Sequence, residues 1–325
     1  MPKEGVCRGG RILNKAETPS SQMVSTTVLS KKKSTHFIED FKALIKIGIV
    51  NSNLITVIAG FWLALHYTNG TFLANLDVFI LTISGSALVI AGGGILNNWY
   101  DVDIDPLMTR TKNRPTVTGS ISLNTTLLLG LLSTLFGLIL LSLTTIQAAL
   151  FAFVGWFVYV VLYTMWSKRR YTLNTAIGSF SGAAPPLIGW AAIEPHFHIV
   201  PLMLFLIMFI WQTPHFLALA MKKTKEYKAA GVPMLPVVHG FEITKRQIVI
   251  YIACLLPLPF YLASLGTTFM VIATLLNVGW LFIGISGFFM KNDLKWANLI
   301  FIYSLNYLTV LFLMMVVVTI KTPFS

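Results

Sequence analysis

The chain has 325 residues, of which 55% are hydrophobic and only 11% charged, with a formal net charge of +12. This composition excludes an ordinary soluble domain, and apolar runs of roughly 20 residues recur along its length, as in a polytopic helical membrane protein. The positive excess is confined to alternate loops and so does not mark nucleic-acid binding. A transmembrane barrel would need short alternating strands, and none is legible.

In chain order, residues 1–40 are polar, with a Lys31-Lys32-Lys33 triplet, and read as a flexible cytoplasmic tail lacking the apolar core of a secretory signal. Residues 41–325 read as one all-α transmembrane domain. Its nine predicted spans cover about 44–66, 76–98, 121–143, 146–166, 173–192, 198–221, 247–266, 268–290 and 297–320. Arg110, Lys112 and Arg114 follow the second span, and Lys168, Arg169 and Arg170 follow the fourth. Lys222, Lys223, Lys225, Lys228, Lys245 and Arg246 lie between the sixth and seventh, and Lys291 and Lys295 between the eighth and ninth. The loops after the first, third, fifth and seventh contain no Lys or Arg. This alternation predicts a cytoplasmic N-terminus and an external C-terminus. Cys7 and Cys254 form neither a ligand pattern nor a disulfide framework.

The tightest acidic cluster follows the second span, in Asn97-Asn98-Trp99-Tyr100-Asp101-Val102-Asp103-Ile104-Asp105-Pro106. Asn97, Asp101 and Asp105 recur every four residues and share a helix face. Pro106 disfavours helix at Asp105, so the acids sit at a helix C-terminus, where they are unfavourable unless something positive joins them. Mg²⁺ takes one or two carboxylates and leaves the rest of its shell to water and phosphate, and the following arginines suit the phosphate. The pattern predicts a site for a divalent cation and a polyanion, with ordinary solvation and pairing of the acids as the blander reading.

Three further polar segments accompany it. Asn51, Ser52 and Asn53 lie near the start of the first span. Ser167 to Asn174 leads into small residues and Pro185-Pro186, which predict a bend, with Asn174 facing a cavity. Trp211-Gln212-Thr213-Pro214-His215-Phe216 is followed by a lysine-rich loop holding Glu226 and Tyr227. An intramembrane His beside a Pro leans towards a cavity role, with packing as the alternative. Glu194, His196 and His198 read as outer-loop residues and are a weak metal signal.

Asn97-x-x-x-Asp101-x-x-x-Asp105 resembles the first signature of the UbiA-type intramembrane prenyltransferases. Met108-Thr109-Arg110-Thr111-x-x-Arg114-Pro115, Trp211-x-x-Pro214-His215-Phe216 and Glu226-Tyr227-x-x-x-Gly231-x-Pro233-Met234-Leu235-Pro236 narrow the resemblance to the protohaem IX farnesyltransferases, in their Bacillus-type bacterial form. It runs from about Phe41 to the C-terminus.

The resemblance implies a nine-helix bundle around a central cavity in the cell membrane. It also implies transfer of farnesyl from farnesyl diphosphate to a vinyl group of haem B, with addition of water, giving haem O for terminal oxidases. Mg²⁺ would be the cofactor, held by Asn97, Asp101 and Asp105. Arg110, Arg114, Lys168, Lys223, Lys225 and Glu226 would form the diphosphate site. Asn53, Asn174, Trp211 and Tyr227 would line the cavity. His215 would position haem, ligate its iron or handle a proton. Haem A synthase or oxidase-assembly proteins would be partners. The second signature departs from the acid-rich form of many superfamily members, since Glu226 stands alone, so that loop is expected to act through lysines more than through metal. The competing readings are prenyl transfer to a quinone precursor, a cation-coupled transporter and a passive haem-binding subunit.

Overall fold

The computed structural model describes residues 37–320. The chain divides into residues 1–39 and a unit from Asp40 onward, and the second unit carries all that follows. The expected tail therefore lies almost wholly outside the described residues.

The unit is built from α1 (Ile47–Tyr67), α2 (Leu76–Tyr100), α3 (Leu123–Ser142), α4 (Ile146–Phe157, continued as a π-helix over Val158–Ser167), α5 (Asn174–Gly182), α6 (Ala184–Ala191), α7 (Ile199–Lys222), α8 (Gly240–Leu255, extended by a 3₁₀ turn over Leu258–Leu265), α9 (Thr267–Ser286) and α10 (Asp293–Val317). Among the described residues there is no strand. Among the described residues eight helices are long and apolar enough to cross a membrane: α1 to α4 and α7 to α10.

The fifth predicted span, over 173–192, is divided instead. It breaks at Ala183, whose dihedrals of −91° and −10° end α5, and Pro185-Pro186 open α6. Proline is suited to a first helical turn, where its missing N–H is no loss. The bend expected from the proline pair is present, and it accounts for the difference between eight long helices and the nine expected. The seventh predicted span, α8, also starts earlier than expected, at Gly240 and not at 247. Its polar first turns are held because Lys245, although buried, bonds to Glu242 at 3.2 Å and to Asp293 of α10 at 2.6 Å.

The membrane interior offers no water, so the helices approach through small residues and close off their polar groups internally. A Cβ on Gly60 of α1 would lie 2.1 Å from the Pro186 carbonyl oxygen, and one on Gly189 of α6 would lie 1.9 Å from that of Val57. Thr82, Thr126 and Thr134 are buried, and each donates its hydroxyl to the carbonyl four residues before it. On the other side of the bundle a large core joins α7, α8, α9 and α10 around Trp280, Trp296 and Tyr307.

Gly60→Ala and Gly189→Ala should each lower stability by about 1–3 kcal/mol, because the clash is with backbone and no side chain can move aside. Gly48→Ala, in the same α1 helix but with nothing within 4 Å, should be neutral or slightly stabilising. Thermal unfolding of the detergent-solubilised variants checks the ordering.

Candidate functional site

The first signature sits as its spacing requires. Asp101 closes α2, its N–H bonding to Asn97 O at 3.0 Å. One further turn follows, Asp105 N–H to Asp101 O at 2.9 Å, before a 3₁₀ turn over Asp105–Leu107. Asn97, Asp101 and Asp105 stay on one face and all three are buried.

Basic groups surround them. Lys168, just beyond the π-helix, donates to Asp101. Arg114 Nη1 donates to Asp105 Oδ2 at 2.6 Å. Arg169 makes two bonds of 2.7 Å to Asp103, reaches Asp101 Oδ1 at 3.4 Å and lies over the Tyr100 ring. Lys46, the residue before α1, donates to Asn97 Oδ1, while Asn97 Nδ2 donates to Asp101 Oδ2 at 2.8 Å and to Thr164 Oγ1 at 3.0 Å. Burial pulls the Lys46 ammonium well below its ordinary value, reinforced by the nearby charges of Arg114 and Lys168. Burial also lowers Lys168, with Asp101 pulling the other way. A polyanion arriving here would strengthen the charged form of both.

The cluster opens into a cavity of about 470 Å³. Lys46, Asn97, Asp105, Arg110, Arg114 and Lys168 form its charged end. Ile49, Val89, Ile90, Gly93, Gly94, Ala152, Trp156 and Ile188 give it an apolar bore. The loop after α7 closes it from below, where Val232 and Met234 pack with Ala220 against Ile104 and Met108. Tyr227 and Met234 reach the cavity wall.

Of the residues singled out in the sequence, Asn53, Asn97, Asp105, Arg110, Arg114, Lys168 and Tyr227 line this cavity, and Asp101 stands directly behind them, paired with Lys168. The others do not line it. Asn174 is buried and caps the turn above it, donating to Lys168 O at 3.3 Å, and its neighbour Thr175 takes the wall. Trp211 and His215 occupy the adjacent face of α7, towards α10, while Gln212, Phe216 and Leu219 face the cavity. Lys223 is paired with Glu226 at 2.7 Å and Lys225 is exposed. The second loop therefore meets the cavity through Tyr227 and Met234, not through its lysines. Glu194 and His196 bond to each other at 2.6 Å, and His198 caps α7. Among the described residues no three His, Cys, Asp or Glu are grouped to hold a metal.

Sequence reasoning missed Lys46, Tyr159, Tyr163 and Gln212. In the sequence Lys46 is one of the basic residues beside the first span, and only its long-range partner Asn97 distinguishes it. Tyr159 and Tyr163 lie in the π-helix, a local widening that commonly marks functional positions.

A metal fits this arrangement. Asp105 Oδ1 is buried without a hydrogen-bond partner, and two carboxylates with one amide oxygen are a normal protein share of an Mg²⁺ shell.

The UbiA prenyltransferase family model matches residues 53–305. The chain is 66% identical over 308 residues to the protoheme IX farnesyltransferase of Oceanobacillus iheyensis, covering 94% of this chain and 98% of that one. It is 60% identical over 301 residues to that of a Bacillus cereus strain, covering 92% and 98%. In structure it resembles a digeranylgeranylglyceryl phosphate synthase (TM-score 0.71, 19% identity, 88% of this chain and 99% of that one). It also resembles a UbiA homologue from Archaeoglobus fulgidus bound to GPP and Mg²⁺ (TM-score 0.61, 15% identity, 85% and 99%).

Arg169 holds the Asp103 carboxyl below its usual range. The pair's contribution is therefore present above that range and is lost as pH falls through the lowered value. Asp103 is 60% exposed, so Asp103→Asn should cost less than about 1 kcal/mol at neutral pH and should flatten the acid limb of a plot of Tm against pH. Taken together, the sequence match and the shared fold place this chain in the UbiA prenyltransferase family, among relatives that are protoheme IX farnesyltransferases.

Proposed function

We propose that the chain transfers the farnesyl group of farnesyl diphosphate to a vinyl group of haem B, with addition of water, giving haem O and diphosphate. The same reading places it in the cell membrane, with its N-terminus cytoplasmic and its C-terminus external. One observation carries the proposal: four cations and two carboxylates converge at the mouth of an apolar cavity of about 470 Å³. That geometry matches a donor that is half polyanion and half hydrocarbon. The relatives' names, and the prenyl diphosphate and Mg²⁺ bound by the Archaeoglobus homologue, support the same assignment.

Asn97, Asp101 and Asp105 would hold Mg²⁺, which when bound withdraws electrons from the diphosphate oxygens. Arg114 and Lys168 neutralise Asp105 and Asp101 without donor, and turn to phosphate oxygens when it binds. Arg110 and Lys46 complete the cradle and stabilise the departing charge. The C1–O bond of the donor breaks with its electron pair leaving on diphosphate. The bore of Gly93, Gly94, Trp156 and Ile188 keeps water from the allylic carbon. The vinyl π electrons form the new C–C bond, and water adds to the remaining carbon with loss of a proton.

Haem extracted from cells with and without the chain tests this directly. A mass gain of one farnesyl plus one water is expected only with it, and unmodified haem in both would overturn it. In a purified assay with farnesyl diphosphate, haem B and Mg²⁺, Asp101→Ala should lose activity by at least about 100-fold while still inserting in the membrane. Lys46→Gln should raise the KM for farnesyl diphosphate, and chelation of Mg²⁺ should stop turnover.

A further inference from the structure

We propose that the far end of the apolar bore is a closed floor that measures the donor chain, with Ala152 and Ile188 selecting three isoprene units over two or four. The inference rests on the prenyl-transfer reading and adds what sets the length of the chain transferred.

The depth of the bore can be read on two helices. The Lys46 ammonium marks the charged level, where it donates to Asn97 of α2 and lies 3.5 Å from the Tyr159 hydroxyl of α4. From there both helices run along the cavity. The last residue of α2 to line it is Val89, eight residues beyond Asn97, which is about 12 Å of helix. The last of α4 is Ala152, seven residues beyond Tyr159, or about 10 Å. A farnesyl main chain of twelve carbons extends to about 14 Å, against about 9 Å for geranyl and about 19 Å for geranylgeranyl, at C–C bonds of about 1.5 Å. With its first carbons at the charged level, farnesyl reaches the floor. Geranyl leaves the last stretch empty, and geranylgeranyl overshoots by about one isoprene unit.

The floor is solid. Val89, Ala152 and Ile188 are buried, and they belong with Phe61 and Leu141 to one packed cluster. Phe61 and Leu141 do not line the cavity; they back the residues that do, and the Phe79 ring meets Phe61 edge-on at 5.2 Å. The backing has no slack. A Cβ on Gly137 would lie 2.7 Å from Val89 Cγ2, and one on Gly85 would lie 2.8 Å from Leu141 Cγ. An interior packed to this density does not yield to an extra isoprene unit without strain.

The two ends of the bore differ in this respect. Near the mouth its wall includes Ile49, whose side chain is exposed, whereas the lining residues at the floor are buried. Length is therefore read at the floor. Ala152 is the smallest of the three side chains there, so its methyl leaves the space that the last isoprene unit fills. Ile188 is the side chain whose truncation would extend that space.

Calorimetric titration of the purified protein and Mg²⁺ with geranyl, farnesyl and geranylgeranyl diphosphates, without haem, tests the floor. Simple greasy attraction would rise steadily with chain length, so a maximum at farnesyl is the signature. Wild type should bind farnesyl diphosphate at least about tenfold more tightly than either neighbour. Ala152→Phe should bind farnesyl diphosphate at least about tenfold more weakly and prefer geranyl diphosphate. Ala152→Val, which perturbs packing less, should shift the same way by a smaller factor. Ile188→Ala should move the ratio of geranylgeranyl to farnesyl affinity upward by at least about tenfold. Affinity for inorganic diphosphate should match wild type in every variant, which reports an intact mouth. Wild type that binds geranylgeranyl diphosphate as tightly as farnesyl diphosphate, its chain leaving past Ile49, would overturn the proposal. So would variants that weaken all three donors in proportion. Haem O formation by the wild-type preparation is read alongside. Its absence with length selection intact overturns the haem acceptor alone, its presence without length selection overturns the floor alone, and binding of none of the three donors overturns both.

Discussion

Two carboxylates, Asp101 and Asp105, are fully buried at the C-terminal end of a membrane helix. A buried acid is costly, and the negative end of the α2 dipole makes it more so. The chain meets that cost with cations from two separated elements, Arg114 in the loop after α2 and Lys168 and Arg169 beyond α4, while Lys46 before α1 donates to Asn97 beside them. Removing one partner would leave an uncompensated charge, so the starts and ends of these helices are fixed by the acids as much as by their own sequences. The compensation is also incomplete, because Asp105 keeps one oxygen without a partner. Under the proposed function, that oxygen is the one a metal would take.

The apolar half of the site follows from the same packing rules. Gly93 and Gly94 leave space where side chains would stand, and the break at Ala183 turns α5 aside so that Gly178, Ser181 and Gly182 form a wall. Gly182 admits Gln212, whose Oε1 lies only 2.1 Å from where a Cβ would be. Polar mouth and apolar bore are thus adjacent because one short loop and one broken helix border both.

Much of this was legible in the sequence, for identifiable reasons. The spans follow from apolar run length, the bend from Pro185-Pro186, and the acid face from a four-residue repeat that no tertiary contact can rephase. What was not legible depends on partners distant in the chain. Lys46 and Asn97 are 51 residues apart, and nothing local distinguishes Lys46 from Lys42. Trp211 and Gln212 differ by about 100° of helical phase, so the assignment of a cavity face on α7 turned on a single residue. The early start of α8 rests on Lys245 finding Asp293 of α10, which a window over the charged residues reads as loop.

The central claim is that the cations now paired with Asp101 and Asp105 pass to a diphosphate while the carboxylates pass to a metal. A structure determined with Mn²⁺ and a non-reacting thio analogue of farnesyl diphosphate tests it most directly. The account predicts an anomalous peak bridging Asp101 or Asp105 and the diphosphate, with Arg114 and Lys168 moved onto phosphate oxygens and the farnesyl chain between Gly93 and Ile188. A diphosphate bound elsewhere, with the Arg114–Asp105 and Lys168–Asp101 pairs intact, would contradict it.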